Sequence, residues 1–459
     1  MTNAWKKYSV EEKKAVMEFN DQYMDFISTG KTERLCVEQT VELAKAHGYK
    51  DMKEVIANNE TLKPQDKVYY NNMNKSIALV HIGNEDLQKG MNILGSHIDS
   101  PRMDLKAHPV FEDGDLAYFD THYYGGIKKY QWVTTPLALH GVVCLKDGST
   151  VKVSIGDKDE DPVFVVTDLL VHLSGEQMEK TAAKAIEGEN LDLIVGSIPM
   201  DGEEKEAVKA NILSILKETY GIEEEDFTSA EIEVVPAGRA RSAGFDRSMV
   251  LGYGQDDRVC GYASLMAQLE MKEANRTCVT LLVDKEEVGS NGATGMHSHF
   301  FEILVAELLH ALGNDSALAI KRAIQNSAAL SNDVAAANDP IYASASSPHD
   351  NQAVFGGGLC LIKYTGSRGK GGCNDANAEY LAKLRKVMDD NDVVWQTTEL
   401  GKVDQGGGGT IAFILANYGM QVIDAGVALQ CMHAPYELSS KADVYEAKKG
   451  YLAFLKDFQ

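Results

Sequence analysis

Apolar residues recur at two spacings along the chain, and changes of spacing predict its organisation. Residues 1–60 carry the three-to-four-residue spacing of amphipathic helices. The segment KVYYNNMNKSIALVHIG predicts a hairpin, because turn-forming residues separate two apolar runs. The following run, MNILGSHIDS, predicts a buried strand that ends at His97.

Residues 104–240 break this pattern. Residues 104–165 alternate in short β-like runs, and a charged stretch from about 174 to 230 predicts helix. The gap between His97 and Asp256 is also too long for one crossover connection. We therefore predict an inserted β-rich domain over 104–240, with 1–103 and 241–459 forming the main domain.

Strand-like and helix-like runs alternate again after residue 240. This alternation is typical of an α/β fold whose mostly parallel sheet is flanked by helices. Strands are predicted in TCVTLLVDK, GLCLIKY and MQVIDAGVAL, and helices in DRVCGYASLMAQLEMK, HFFEILVAELLHAL, DANAEYLAKLRKVMDD and GTIAFILANYG.

Composition narrows the classes of partner and compartment. The net charge of -23 repels polyanions, so we expect no nucleic-acid partner. Seven scattered cysteines form no C-x-x-C pair, which argues for a reducing compartment and against thiolate zinc sites. The chain starts without a signal-peptide pattern and has no apolar run of about 18 residues, so we expect a cytoplasmic protein that spans no membrane.

Polar stretches at the ends of apolar runs, or before predicted helices, supply the candidate chemistry. They offer imidazole and carboxylate groups, which suit two zinc ions sharing a bridging carboxylate, with a glutamate beside them to move a proton. A site of this kind splits amide bonds with water. The stretches are GSHIDSP at 95–101, GQDDR at 254–258, DKEEVGS at 284–290, SNDV at 331–334 and MHAPYE at 432–437.

Each stretch taken alone has a simpler interpretation. His97 and Asp99 lie two residues apart, so Asp99 could orient the ring of a metal-bound His97, or it could be a turn residue. Asp256 could be a helix N-cap and Asp333 a turn residue. The presence of the whole set in one chain is what indicates a metal site.

The chain resembles the aspartyl aminopeptidase and vacuolar aminopeptidase I family of zinc exopeptidases, the eighteenth metallopeptidase family, and within it the bacterial aminopeptidase 1 type. The resemblance runs from about residue 60 to the end, and GSHIDSPR, DKEEVGSNG, KYTGSRGKGG and MHAPYE carry it. It implies a catalytic main domain, an inserted oligomerisation domain and a homododecamer. It also implies that Glu286 is the general base, that one zinc is held by His97, Asp256 and Asp333, and that the other is held by Asp256, Glu287 and His433.

Further residues enter through the same resemblance. His172 matches a histidine that reaches the active site of a neighbouring subunit and is sometimes counted as a zinc ligand, although its apolar surroundings also fit a core histidine. Lys363 falls where the family can place a lysine near the substrate side chain. Ala336 and Asp339 stand where the aspartyl-specific members have histidines, so the preferred first residue of the substrate stays open.

We therefore expect a zinc-dependent aminopeptidase that acts on peptides, with Mn²⁺ or Co²⁺ as alternative ions. Two alternatives stay open: a zinc amidohydrolase or deacylase acting on small N-acyl substrates, and a non-catalytic shell-forming protein. A nucleotide-binding role for GGGG at 406–409 is disfavoured, because no G-K-[ST] follows it.

Overall fold

The computed structural model describes residues 3–366 and 368–459. Ser367, in the GSRGKGG segment, and the first two residues lie outside this part. The described chain divides into two compact units. The first comprises Met1–Asp99, Ala240–Met432 and Glu437–Gln459, and the second Ser100–Arg239 and His433–Tyr436.

The first unit is built on a sheet in which nine of the described strands take part, most of them paired in parallel, as the sequence predicts. Its order is β1-β2-β3-β14-β4-β15-β19-β17-β18. The run β14-β4-β15-β19 is parallel throughout. The strands are β1 (Lys50–Asp51), β2 (Lys67–Asn72), β3 (Ser76–His81), β4 (Met91–His97), β14 (Thr277–Val283), β15 (Ala328–Ser331), β17 (Leu359–Ile362), β18 (Trp395–Thr397) and β19 (Gln421–Gly426).

Helices cover both faces of this sheet. Successive residues of β4 enter different hydrophobic clusters, Ile93 one and Leu94 the other, so both faces are buried. The first helix begins with a capping box between Ser9 and Glu12. The helices of this unit are α1 (Val10–Thr29), α2 (Glu33–Ala46), α3 (Met52–Ala57), α7 (Gln255–Glu270), α8 (Phe300–Ala311), α9 (Ala317–Gln325), α10 (Ala378–Asp390), α11 (Ala412–Ala416) and α12 (Lys441–Asp457).

A smaller sheet in the first unit has the order β12-β13-β21-β20-β16. Its hairpin between β20 and β21 brackets the short segment 433–436. The strands are β12 (Arg241–Ala243), β13 (Met249–Gly252), β16 (Ala335–Ala336), β20 (Ala428–Gln430) and β21 (Glu437–Ser440).

The second unit contains an antiparallel sheet of the order β8-β7-β11-β5-β6-β10-β9. Its elements are β5 (Arg102–Asp113), β6 (Leu116–Tyr124), β7 (Leu137–Cys144), β8 (Thr150–Ile155), β9 (Val165–Val166), α4 (Gly175–Glu179), α5 (Ala182–Ala185), β10 (Leu193–Gly196), α6 (Ala207–Tyr220) and β11 (Ala230–Pro236).

The helical prediction for about 174–230 is wrong over part of its length. Only α4, α5 and α6 are α-helical, and β10 lies between α5 and α6. Leu193 and Ile194 of β10 pair with Phe119 and Tyr118 of β6, so tertiary pairing overrides the local helical pattern here. In the described part of the chain, no helix combines the length and the apolar character needed to cross a membrane.

Candidate metal centre

Three neighbouring parallel strands bring candidate donors to one edge of the main sheet. β4 ends at His97 and lies between β14 and β15. Val283, the last residue of β14, is level with His97, and Ser331, the last residue of β15, is level with Gly95. The segments that follow carry Glu286, Glu287 and Asp333, so these side chains start from the same edge. Ligand sites in open α/β sheets lie at such carboxyl edges.

Asp256 reaches this edge from the first turn of α7. The N-cap position of the helix is occupied by Gly254, and both Asp256 and Asp257 have non-helical backbone angles. The regular part of α7 therefore begins after these two residues, and the interpretation of Asp256 as a helix N-cap stays a prediction. The backbone N–H of Asp256 donates to Oε2 of the buried Glu437, at 3.1 Å, which fixes the start of α7.

The side chains converge around the imidazole of His97. Its Nε2 lies 3.3 Å from Oδ1 of Asp256. The same nitrogen lies 3.9 Å from Oδ1 of Asp333 and 3.9 Å from Oε2 of Glu286. One donor atom each from His97, Asp256 and Asp333 all lie within 4.8 Å of one another. One nitrogen and two carboxylate oxygens at this spacing fit a divalent cation such as zinc.

Asp99 holds two parts of this cluster in position through hydrogen bonds. Nδ1 of His97 lies 3.0 Å from the Asp99 carbonyl oxygen and 3.3 Å from its Oδ1, so Nε2 is left for a metal. The Asp99 carboxylate also accepts the backbone N–H groups of Glu286, at 3.1 Å, and Glu287, at 3.2 Å. One buried carboxyl group thus orients the histidine and the turn that carries both glutamates.

Burial and neighbouring charges shift the pKa values of these groups. Burial raises the pKa of Glu286 to about 8; His97 opposes the rise, and carboxylates led by Asp333 add to it. Burial likewise raises the pKa of Asp333 to about 7, with His97 again in opposition. Burial by itself lowers the pKa of His97, but its bonds to Asp256 and Asp99 hold that pKa well above its ordinary value. When the carboxylates around His97 are ionised, their negative charge exceeds the single positive charge of the His97 imidazolium. A divalent cation would neutralise the excess.

Comparison with known proteins decides the family. The family model described as "Aminopeptidase I zinc metalloprotease (M18)" matches residues 26–455. The chain belongs to the M18 family of aminopeptidases. It is therefore a metalloaminopeptidase, a hydrolase. A relative in Clostridium acetobutylicum named "Probable M18 family aminopeptidase 1" is 59% identical over 99% of this chain and 98% of its own length.

Solved structures agree with this family. The M18 aminopeptidase of Thermotoga maritima has a TM-score of 0.95 at 44% identity and covers 100% of this chain and 99% of its own. A yeast structure described as the "mApe1 dodecamer" has a TM-score of 0.77 over 97% of each chain. At 19% identity, the yeast likeness shows a shared fold alone.

Two candidate histidines lie in the second unit. Nδ1 of His433 lies 2.8 Å from the carbonyl oxygen of Gly126, so Nε2 is the ring nitrogen that could bind a metal. His172 lies in a 3-10 turn, Val171–Leu173, and is exposed, which contradicts the interpretation as a core histidine. It lines a cavity of about 660 Å³ together with Asp168, Gln177 and Lys180.

Lys363 follows β17, and its role stays a prediction. Ile362 is level with Asp424, and Asp424 with Ser331. Because β17 runs antiparallel to β19, Lys363 lies further down the sheet, away from the edge that carries His97. Its ammonium group lies 5.0 Å from the ring centroid of Tyr364.

Sequence reasoning missed two buried carboxyl groups near this centre, Glu437 and Asp424. Glu437 lies in the MHAPYE stretch, where the histidine is the more conspicuous metal donor. Asp424 interrupts the apolar run of β19, MQVIDAGVAL. An acidic residue inside an apolar strand was the available signal, because such a group is rarely buried without partners.

The metal-free protein should lose stability as the pH rises from about 5 to about 8. Glu286 ionises near 4.5 in the unfolded chain but near 8 in the folded one, so the folded state binds the extra proton between these values. The contribution of Glu286 to the free energy of unfolding is fully present below a pH of about 4.5 and is lost as the pH rises through about 8. The thermal midpoint of the metal-free wild type should therefore fall more steeply over this range than that of Glu286→Gln.

The comparison between these two proteins reports on Glu286 and on the effect of its charge on its neighbours. Both retain Asp443, whose pKa is raised to about 7 without a contribution from Glu286, so the contribution of Asp443 to stability cancels. Glu286 adds to the raised pKa of Asp424, so this smaller effect belongs to the difference between the two proteins. Equal slopes for the two metal-free proteins would contradict the raised pKa of Glu286.

Proposed function

We propose that the chain removes the N-terminal residue from peptides by hydrolysis, using two divalent ions and Glu286 as the proton carrier. The observation that carries this proposal is the approach of donor atoms from His97, Asp256 and Asp333 to within 4.8 Å at the carboxyl edge of the sheet. The carboxyl group of Glu286 lies 3.9 Å from the same imidazole, and this proximity supports its role as the proton carrier.

The proposed ligands divide into two sets that share Asp256. His97, Asp256 and Asp333 hold one ion, and Asp256, Glu287 and His433 hold the other. Zinc suits these nitrogen and oxygen donors, and manganese or cobalt can also take them. The bond between His433 and the Gly126 carbonyl supports its assignment, since metal-ligating histidines commonly donate their other N–H to such an acceptor.

When bound, the ions lower the pKa of water from near 16 toward about 7 and polarise the scissile carbonyl. Glu286 takes the proton of the attacking water on its carboxylate and delivers it to the departing amine. The pKa of about 8 in the metal-free protein falls when cations bind nearby, so the base form of Glu286 is available near neutral pH. Asp99 keeps His97 and the backbone of Glu286 in place.

Two further proposals concern the assembly and its compartment. The chain forms a homo-oligomer, with a dodecamer as the expected form and His172 reaching a neighbouring subunit. An exposed apolar stretch around His172 supports this assembly. It comprises Leu170, Val171, Leu173 and Met178. A cytoplasmic location is supported by the seven cysteines, which are scattered along the sequence and form no C-x-x-C pair.

Replacing Glu286 by Gln should lower activity by at least about 100-fold while metal content stays near that of the wild type. The amide keeps the size of the side chain but cannot accept the water proton. Metal content by elemental analysis and hydrolysis of an aminoacyl-arylamide measure the two quantities. Glu287→Gln is the matched control and should lose metal as well as activity. Unchanged activity of Glu286→Gln would contradict the general-base assignment.

A substrate panel separates aminopeptidase activity from the amidohydrolase alternative. Aminoacyl-arylamides with acidic, apolar and basic residues are compared with N-acyl amino acids, before and after chelation and zinc restoration. We expect chelator-sensitive cleavage of the free-amine substrates, restored by zinc, and no cleavage of the N-acyl set. Cleavage of the N-acyl set alone would favour the deacylase. Zinc binding with no cleavage of either set would favour the non-catalytic shell.

Charges in the exposed apolar stretch should dissociate the assembly. Val171 and Leu173 are 71% and 72% exposed, so Val171→Asp with Leu173→Asp should fold normally but bury the new charges at any interface formed there. Sedimentation velocity should show a smaller species than the wild type. Val10→Asp, at a 79% exposed position of α1, is the control. A wild type that is monomeric at micromolar concentration would refute the assembly, and full activity of the dissociated variant would refute the role of His172.

A further inference from the structure

Asp424 is a fully buried carboxyl group in the middle of the main sheet. It lies in β19, level with Ser331 of β15 on one side and Ile362 of β17 on the other. Burying a carboxyl group in such a place is costly unless hydrogen bonds compensate. The ligand sets and the proton transfer proposed above make no use of it.

The contacts of Asp424 lead to two parts of the site. The Ser331 hydroxyl donates to its Oδ1 at 2.8 Å. Ser331 is the last residue of β15, two residues before the proposed ligand Asp333. The hydroxyl of Thr410, which directly follows the glycine-rich loop 406–409, also lies close enough to the Asp424 carboxyl group to lower its pKa. One carboxyl group therefore joins a ligand-bearing strand to this loop.

The residues around Asp424 are closely packed, so a displacement of one of them would shift its neighbours. A Cβ atom added to Gly426, two residues further along the chain, would lie 1.6 Å from the carbonyl oxygen of Asp333. A Cβ atom added to Gly95 of β4 would lie 2.9 Å from Cδ1 of Ile411, which directly follows Thr410. The backbone of Asp333 thus lies directly against β19, with no room for an extra methyl group, and the side chain of Ile411 packs against β4.

Electrostatic coupling agrees with this arrangement. The charge of Asp424 contributes to the raised pKa of Asp333. The pKa of Asp424 is itself raised to about 7, mainly by burial and further by Glu286, and the two hydroxyl groups oppose the rise. The group is therefore close enough to influence the metal centre without being one of its proposed ligands.

We propose that Asp424 is a positioning residue that couples the glycine-rich loop 406–409 to the metal ligand Asp333. It acts on Asp333 through Ser331 and on the loop through Thr410. The inference rests on the function proposed above, because it takes Asp333 as a ligand and the loop as part of the substrate-binding surface. Glycine at four successive positions allows the backbone there to approach a bound peptide closely.

The test separates the two arms. Zinc affinity is measured by competition with a chromophoric chelator, and kcat and KM with an aminoacyl-arylamide. Asp424→Asn should weaken zinc binding by about 10-fold or more, the usual effect of removing a group that orients a ligand, and should also raise KM. Ser331→Ala should weaken zinc binding and leave KM nearly unchanged. Thr410→Val should raise KM and leave zinc affinity nearly unchanged.

Asp443 supplies the matched control. It is equally buried, and its carboxylate accepts the backbone N–H groups of Gly356 at 2.9 Å and Gly358 at 2.8 Å. Asp443→Asn should lower the thermal midpoint much as Asp424→Asn does. It should leave zinc affinity and KM at the values of the wild type, because its partners are elsewhere in the fold.

Several outcomes would overturn the inference. Asp424→Asn could match Asp443→Asn, with lower thermal stability but zinc affinity and KM like those of the wild type, which would show a purely structural role. If Asp424→Asn does not fold, the milder Ser331→Ala and Thr410→Val decide, and wild-type behaviour of both refutes the coupling. Failure of the proposed function looks different, since the wild type with zinc restored would then cleave no free-amine substrate.

Discussion

The repulsion between buried carboxylates around His97 is the constraint on which the centre depends. Asp256, Asp333 and Glu286 all approach one imidazole nitrogen within 3.3–3.9 Å. In a low-dielectric environment these groups cannot all be charged without a cation, and the raised pKa values of Glu286 and Asp333 express that conflict. The same crowding that destabilises a metal-free centre at higher pH gives a bound divalent ion its affinity.

The scaffold keeps these groups together against their repulsion. Parallel pairing of β14, β4 and β15 fixes the level at which each strand ends, and both faces of the sheet are buried. Asp99 then ties His97 to the turn that carries the two glutamates. Glu437 anchors the first turn of α7 through the N–H of Asp256. His97, Asp256 and the turn with Glu287 are therefore held in place by hydrogen bonds, which limits how far they can move apart.

Asp424 supports the centre from outside the set of proposed ligands. It lies one strand away from the ligand-bearing β15 and contacts the residue that ends that strand. A carboxyl group that accepts a hydrogen bond from Ser331 and lies beside Thr410 links an element that would hold metal to one that would meet substrate. In such an arrangement both metal affinity and substrate affinity depend on Asp424, although Asp424 contacts neither the metal nor the substrate.

Local patterns in the sequence foretold much of the scaffold and the inventory of donors. Apolar spacing predicted α1, α2, the β2–β3 hairpin and the strand that ends at His97, and the structure confirms them. The motifs that carry the family resemblance also led to the family that the comparisons show. These features depend on side-chain periodicity and residue type, which neighbouring positions in the sequence carry by themselves.

Other features depended on the tertiary structure. The strand β15 and the helix α12 were not predicted. The strand β10 was mistaken for helix, because its conformation depends on pairing with the distant residues Tyr118 and Phe119. The sequence by itself determined which donors are present and on which elements they lie. Only the tertiary structure decided which of them meet, because strand order and register depend on contacts between residues hundreds of positions apart.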